Sequence, residues 1–126
     1  MNYAEMSDFE VNKAVAVALG GVATTDYRGL AIYDMGESQS LVVYQCMHSK
    51  GDFLPCNSWA DAGPIIAENQ ISLVFDADLM IEPPAHWVMC RHVNNNGDVA
   101  EHYAQPNKPL RAAMIVFLMM QEQPNA

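Results

Sequence analysis

Basic side chains are scarce in this chain. Six Lys and Arg stand against 15 Asp and Glu, a formal charge of −9, and the six are scattered at positions 13, 28, 50, 91, 108 and 111. A nucleic-acid binder neutralises phosphates with a stripe of such residues, so direct nucleic-acid binding is disfavoured. The acids are spread too, eight in residues 1–63 and seven in 64–126, which excludes an acidic tail. Cysteine is equally sparse: Cys46, Cys56 and Cys90 are odd in number and follow no secreted framework, which points to free thiols in a reducing compartment. The opening residues, Met1-Asn2-Tyr3-Ala4-Glu5-Met6-Ser7-Asp8, hold neither the cationic nor the apolar region of a secretory signal. The longest apolar run, Ala112 to Met120, is about half of what a bilayer core requires, so no membrane span is expected. Gly20-Gly21 follows a predicted helix rather than a strand, so neither the dinucleotide fingerprint nor a phosphate-binding P-loop fits.

What the chain does have is one domain's worth of alternating elements over residues 1–126, with 51% hydrophobic residues. Ser7 and Glu10 form a capping box, and Val11, Ala14, Val15, Ala18 and Leu19 recur at helical spacing, predicting a helix over 8–19 that Gly20-Gly21 stops. Residues 22–27 read as a polar connection. Segments 30–35 and 41–47 are rich in strand formers around the turn composition of 36–40, a β-hairpin. Ser58 caps a short helix ending near Asn69, with Pro64 one turn in. Ile71, Leu73 and Phe75 alternate along a strand, and 86–93 with 99–103 form a second hairpin across Asn94-Asn95-Asn96-Gly97. The last helix starts at Asn107 or Lys108 and tolerates Pro109 in its first turn. The order α-β-β-α-β-β-β-α predicts an α+β fold, a largely antiparallel sheet of about five strands with helices packed against it.

Candidate chemistry is thin. Cys46-Met47-His48 and Cys90-Arg91-His92 each place a thiol and an imidazole on one side of a strand. Were the strands neighbours, Cys46, His48, Cys90 and His92 could surround a zinc, although structural zinc sites usually present tighter Cys-x₂₋₄-Cys knuckles. A buried Cys beside an exposed His in each strand is the commoner arrangement. Cys56 lies in a Pro-Cys-Asn-Ser loop just before a helix N-terminus, the best position for a lowered thiol pKa, but no flanking signature supports a nucleophile. Asp76, Asp78 and Glu82 lack the spacing of a calcium loop and read as a solvated turn. His92 with Glu101, and Arg91 with His102, are expected to face each other across the second hairpin. No catalytic residue and no cofactor is implied.

Three blocks carry a family resemblance: Ser7-Asp8-Phe9-Glu10-Val11-Asn12-Lys13-Ala14-Val15-Ala16, the segment from Trp59 ending Gly63-Pro64-Ile65-Ile66, and Asn107-Lys108-Pro109-Leu110-Arg111-Ala112-Ala113-Met114. Together they resemble NinX, a small protein family of lambdoid bacteriophages and prophages, over nearly the whole chain. The resemblance implies a phage accessory protein acting in the cytoplasm of the bacterial host and brings no catalytic residues with it.

The leading expectation is a non-enzymatic module that binds another protein, such as a host factor. Nine methionines suit an adaptable contact surface. A small Cys- or metal-dependent hydrolase or nucleic-acid-processing enzyme is the alternative, and an acidic DNA mimic a third. Within the last helix, Leu110, Ala113, Met114, Phe117 and Leu118 form one core stripe. Ile115, Val116, Met119 and Met120 fall largely outside it and are expected to form a contact face, most simply a homodimer interface.

Overall fold

The computed structural model describes residues 2–45 and 52–123. After a single 3-10 turn at Tyr3–Glu5 the elements run α1 (Asp8–Ala18), β1 (Val22–Tyr27), β2 (Leu30–Gly36), β3 (Gln39–Tyr44), α2 (Trp59–Glu68), β4 (Ser72–Asp78), β5 (Ala85–Val93), β6 (Val99–Ala104) and α3 (Pro109–Glu122). The fold is mixed α+β, as the patterning predicts, but its strands form two antiparallel three-stranded meanders, β1-β2-β3 and β4-β5-β6, and not one sheet of about five. The strand beyond the expected five is Val22–Tyr27. Its Thr-Thr-Asp centre looks like a polar connection because the strand is an exposed edge with little to bury. It completes the first meander through the two-residue turn Arg28-Gly29, whose φ angles of 49° and 81° suit a type I′ hairpin.

The two meanders are joined by helices. α1 begins at Ser7, whose hydroxyl accepts from the Glu10 amide at 3.1 Å, and buries Val11, Asn12, Val15 and Ala16. This stripe contacts β2 and β3 and, on its other flank, α3. At its end Gly20 takes φ +100°, and Gly21 packs so tightly that a Cβ there would lie 2.8 Å from the Ala16 carbonyl and 3.0 Å from Tyr33. Helix α2 is capped by Ser58, which accepts from the Asp61 amide at 3.3 Å. Asp61 in turn accepts from the Leu54 amide at 2.9 Å, fixing the loop that enters the helix.

α3 is the centre of the core. It lies on β5 and β6 on one side and meets α1 and α2 on others. That explains a helix apolar all round: Ala112 to Leu118 are all buried, and a stripe on one face would serve only one neighbour. The expected contact face is therefore corrected. Ile115 and Val116 have no exposed surface, Met120 is 8% exposed, and Met119 packs partly buried against the same cluster. Helices α1 and α2 cover this side from within the chain, so these four residues are core.

In the second sheet the residues directly opposite one another share a face. Leu73, Cys90 and His102 form one row of the inner side, and Val88 with Ala104 another. The hairpin register differs by one residue from the expected one. Arg91 stands opposite Glu101, and Cys90 opposite His102. The turn holds three residues, with Gly97 at φ +84° and its amide bonded to the Asn94 carbonyl at 3.0 Å. A two-residue Asn-Gly turn would have given the other pairing.

Candidate functional site

The sequence candidates are placed as follows. Cys46 and His48 lie outside the described residues. Cys90 and His92 do share one face of β5, the inner one, where Cys90 is fully buried and its thiol lies 3.7 Å from the Pro109 carbonyl. His92 Nδ1 is 3.5 Å from the Gln70 carbonyl. Among the described residues no three His, Cys, Asp or Glu side chains gather closely enough to hold a metal ion. Burial pushes the Cys90 thiol up to about 12.

Cys56 does sit beside helix N-termini, yet the environment acts against reactivity. It is 6% exposed; burial is the main cause that raises its pKa to about 12, and the Asp8 carboxylate adds to it against Arg111 and Lys108. The thiolate is the nucleophile, and a pKa raised in this way disfavours it at neutral pH. The Cys56 backbone amide donates to Asn12 Oδ1 at 2.9 Å, giving the one buried polar side chain of α1 its role.

Around Cys56 the three family-like blocks converge. A cavity of about 250 Å³ is bordered by Asp8, Asn57, Trp59, Lys108, Pro109 and Arg111 among others, so the first residues of α1, α2 and α3 all reach it. Asp8 is the hub. It accepts from Arg111 Nη1 at 2.8 Å and from Asn57 Nδ2 at 3.4 Å. Arg111 Nη2 donates to the carbonyls of Tyr3, Ala4 and Met6, so the guanidinium ties the N-terminal turn onto α3. A larger open cleft of about 640 Å³ adjoins on the other side and includes Phe9, Gln45, His102 and Gln105. Burial, helped by Arg111, lowers the His102 pKa below its ordinary value, so the imidazole there is neutral at pH 7. Arg111 is committed to Asp8 and backbone carbonyls, and Cys56 is a protonated thiol. Such a junction organises structure and offers no activated nucleophile.

The residues that sequence reasoning missed lie on the outer face of β4-β5-β6. Their rows read Asp76–Trp87, Val74–Met89–Tyr103, Ser72–Arg91–Glu101 and Val93–Val99. Val74 is 42% exposed and Tyr103 58%, while Val93 and Val99 are also exposed. Tyr103 donates to Glu101, its neighbour two residues along the same face of β6, at 3.0 Å. At one end of this face the β4–β5 loop projects Leu79, Met80 and Ile81, with Met80 93% exposed. Asp78 anchors the loop by accepting from the Met80 amide at 2.9 Å. The signal was present in β5, where Trp87 and Met89 on one parity and Val88 and Cys90 on the other are all apolar. A strand apolar on both parities expects cover on both faces, and α3 covers only one.

A family model described as "Bacteriophage P22, NinX" matches residues 2–121. Among curated proteins none matches the chain in sequence.

Proposed function

This chain belongs to the bacteriophage P22 NinX family, and from that premise we propose that it is a non-enzymatic accessory protein of the phage that works by binding another protein inside the infected bacterium. The observation that supports this reading is the outer face of β4-β5-β6, where Val74, Met89 and Tyr103 form an apolar row over which, among the described residues, no helix packs. Single exposed apolar residues are ordinary, but a contiguous patch on a rigid sheet marks an interaction surface. The cleft beside Asp8 supports an architectural role, because its Arg111 guanidinium is internally paired.

Photo-crosslinking in infected cells tests the proposal. A benzophenone side chain is placed at Val74 or Tyr103, and at Tyr27 on β1 as a control. A discrete adduct from the first two positions and none from the control is expected. Adducts equal from all three positions, or none from any, would sink the reading.

A further inference from the structure

The outer face of β4-β5-β6 carries a second property besides its apolar rows. Asp76 and Asp78 on β4 and Glu101 on β6 lie on it, while Arg91 is its one strand-borne cation among the described residues. Three acids to one base make the face acidic, as the chain is as a whole at 15 to six.

Size narrows the occupant further. β5 spans nine residues, or about 30 Å, and three strands at about 4.8 Å spacing give a width near 14 Å. The face therefore offers roughly 400 Å², half of the ~800 Å² per partner that a stable globular interface takes. A second copy would meet too little area, and it would set three acids against three. Anionic lipid and nucleic acid meet the same repulsion. A single α-helix, about 10 Å across, fits the dimensions.

Resting on the protein-binding reading above, we infer that the outer face of β4-β5-β6 takes a basic amphipathic helix, whose apolar stripe lies on Val74, Trp87, Met89 and Tyr103 and whose Lys or Arg residues meet Asp76 and Glu101. The apolar rows set this mode apart from a pure charge mimic. Salt weakens it by screening the acids but leaves the apolar contact.

The test uses synthetic peptides of about 20 residues, the length of a 30 Å helix, with the full chain. One is an amphipathic Leu/Lys helix, the second a scrambled sequence of the same composition, the third the Leu/Glu counterpart. Amide NMR shifts and fluorescence anisotropy report the site and the affinity. The Leu/Lys helix is expected to shift residues of β4, β5 and β6, with Val74→Asp and Tyr103→Ser each weakening it by about tenfold or more, the mark of a central contact. Unchanged urea unfolding of both variants shows that they fold. Equal binding by the scrambled peptide, or shifts spread over the whole surface, would mean non-specific charge attraction and overturn the inference. Equal binding by the Leu/Glu helix would overturn the charge element, and concentration-dependent shifts on this face without peptide would assign it to a second copy. A crosslinked adduct at Tyr103 combined with no binding of the Leu/Lys helix would reject the basic partner while leaving the protein-binding reading intact.

Discussion

Arg111→Ala should be among the most damaging single polar substitutions in this chain. The side chain is 13% exposed and its Asp8 partner 35%, so the two ends of the interaction differ in worth. The Asp8 carboxylate can recover water when the guanidinium goes, and screening at such a site limits the ion pair to under ~1 kcal/mol. The carbonyls of Tyr3 and Met6 are part-buried, and a hydrogen bond to a charged donor contributes about 1.5–3 kcal/mol net. With these carbonyls left without their charged donor, we expect Arg111→Ala to cost about 3 kcal/mol in total. Asp8→Asn should cost about 1 kcal/mol or less. Arg111→Lys keeps the charge but cannot reproduce a fork that reaches several acceptors, so it should recover less than about half of the loss. Urea unfolding followed by Trp59 and Trp87 fluorescence measures all three. In 0.5 M salt the Asp8→Asn cost should shrink and the Arg111→Ala cost should persist. An Arg111→Ala protein within ~0.5 kcal/mol of the parent, the usual scatter of surface substitutions, would refute the claim that this guanidinium holds the N-terminal turn.

The other predictions concern the core, the thiols, the buried imidazole and a turn. Ile115→Ala should cost about 3 kcal/mol, the usual range for a buried aliphatic truncation, and leave the sedimentation-derived mass unchanged; dissociation of an oligomer without loss of stability would instead restore a contact face on α3. In intact-protein mapping by mass spectrometry, N-ethylmaleimide at pH 7.5 should leave Cys56 and Cys90 unmodified until denaturant is added. Because both folded thiol pKa values are raised from 9.0 to about 12, their contribution to stability is complete below pH 9 and is lost as pH rises towards 12; Cys56→Ala should flatten that alkaline decline in a stability–pH profile. His102 shifts the other way. Its lowered pKa contributes stability that is present above 6.5 and lost as pH falls through the folded value, so its NMR titration midpoint should lie below 6.5 and move up in Arg111→Ala. Glu37 and Ser38 hold φ angles of 53° and 63° in the β2–β3 turn, and Glu37→Asn with Ser38→Gly should raise stability by about 1 kcal/mol in the same urea assay.

Local chemistry made much of the fold legible. Ser7 and Ser58 announced two helix starts through their hydroxyls, and the apolar alternation at Ile71, Leu73 and Phe75 identified one face of a strand because period two is intrinsic to it, although only Ile71 and Leu73 reach the core and Phe75 stays 59% exposed. The failures have one cause, which is that a neighbour's identity is not written in the residues it covers. Ile115 and Val116 looked surplus to one helical stripe, yet a helix packed on three sides has no surplus. Val22–Tyr27 looked like a loop because an edge strand is held by its hairpin partner and buries little of its own. The Asp8–Arg111 pair spans 103 residues of sequence, and no spacing rule reaches so far. The hairpin turned on one residue of loop length, which exchanged Arg91–His102 for Arg91–Glu101.

That last exchange bears on function more than its size suggests. In the observed register Arg91 and Glu101 stand side by side on the outer face, and His102 turns inward beside Cys90. A slip of one residue would send the opposite set of β6 side chains outward. It would bury Glu101 and Tyr103 against α3 and bring His102 to the surface. Burying a carboxylate without a partner costs several kcal/mol, whereas the observed register leaves Glu101 hydrogen-bonded to Tyr103 in solvent. The same choice that keeps an acid out of the core assembles Val74, Met89 and Tyr103 into one row. The core's electrostatics thus select the surface that is left for a partner, and that surface inherits its acidic border from the same alternation.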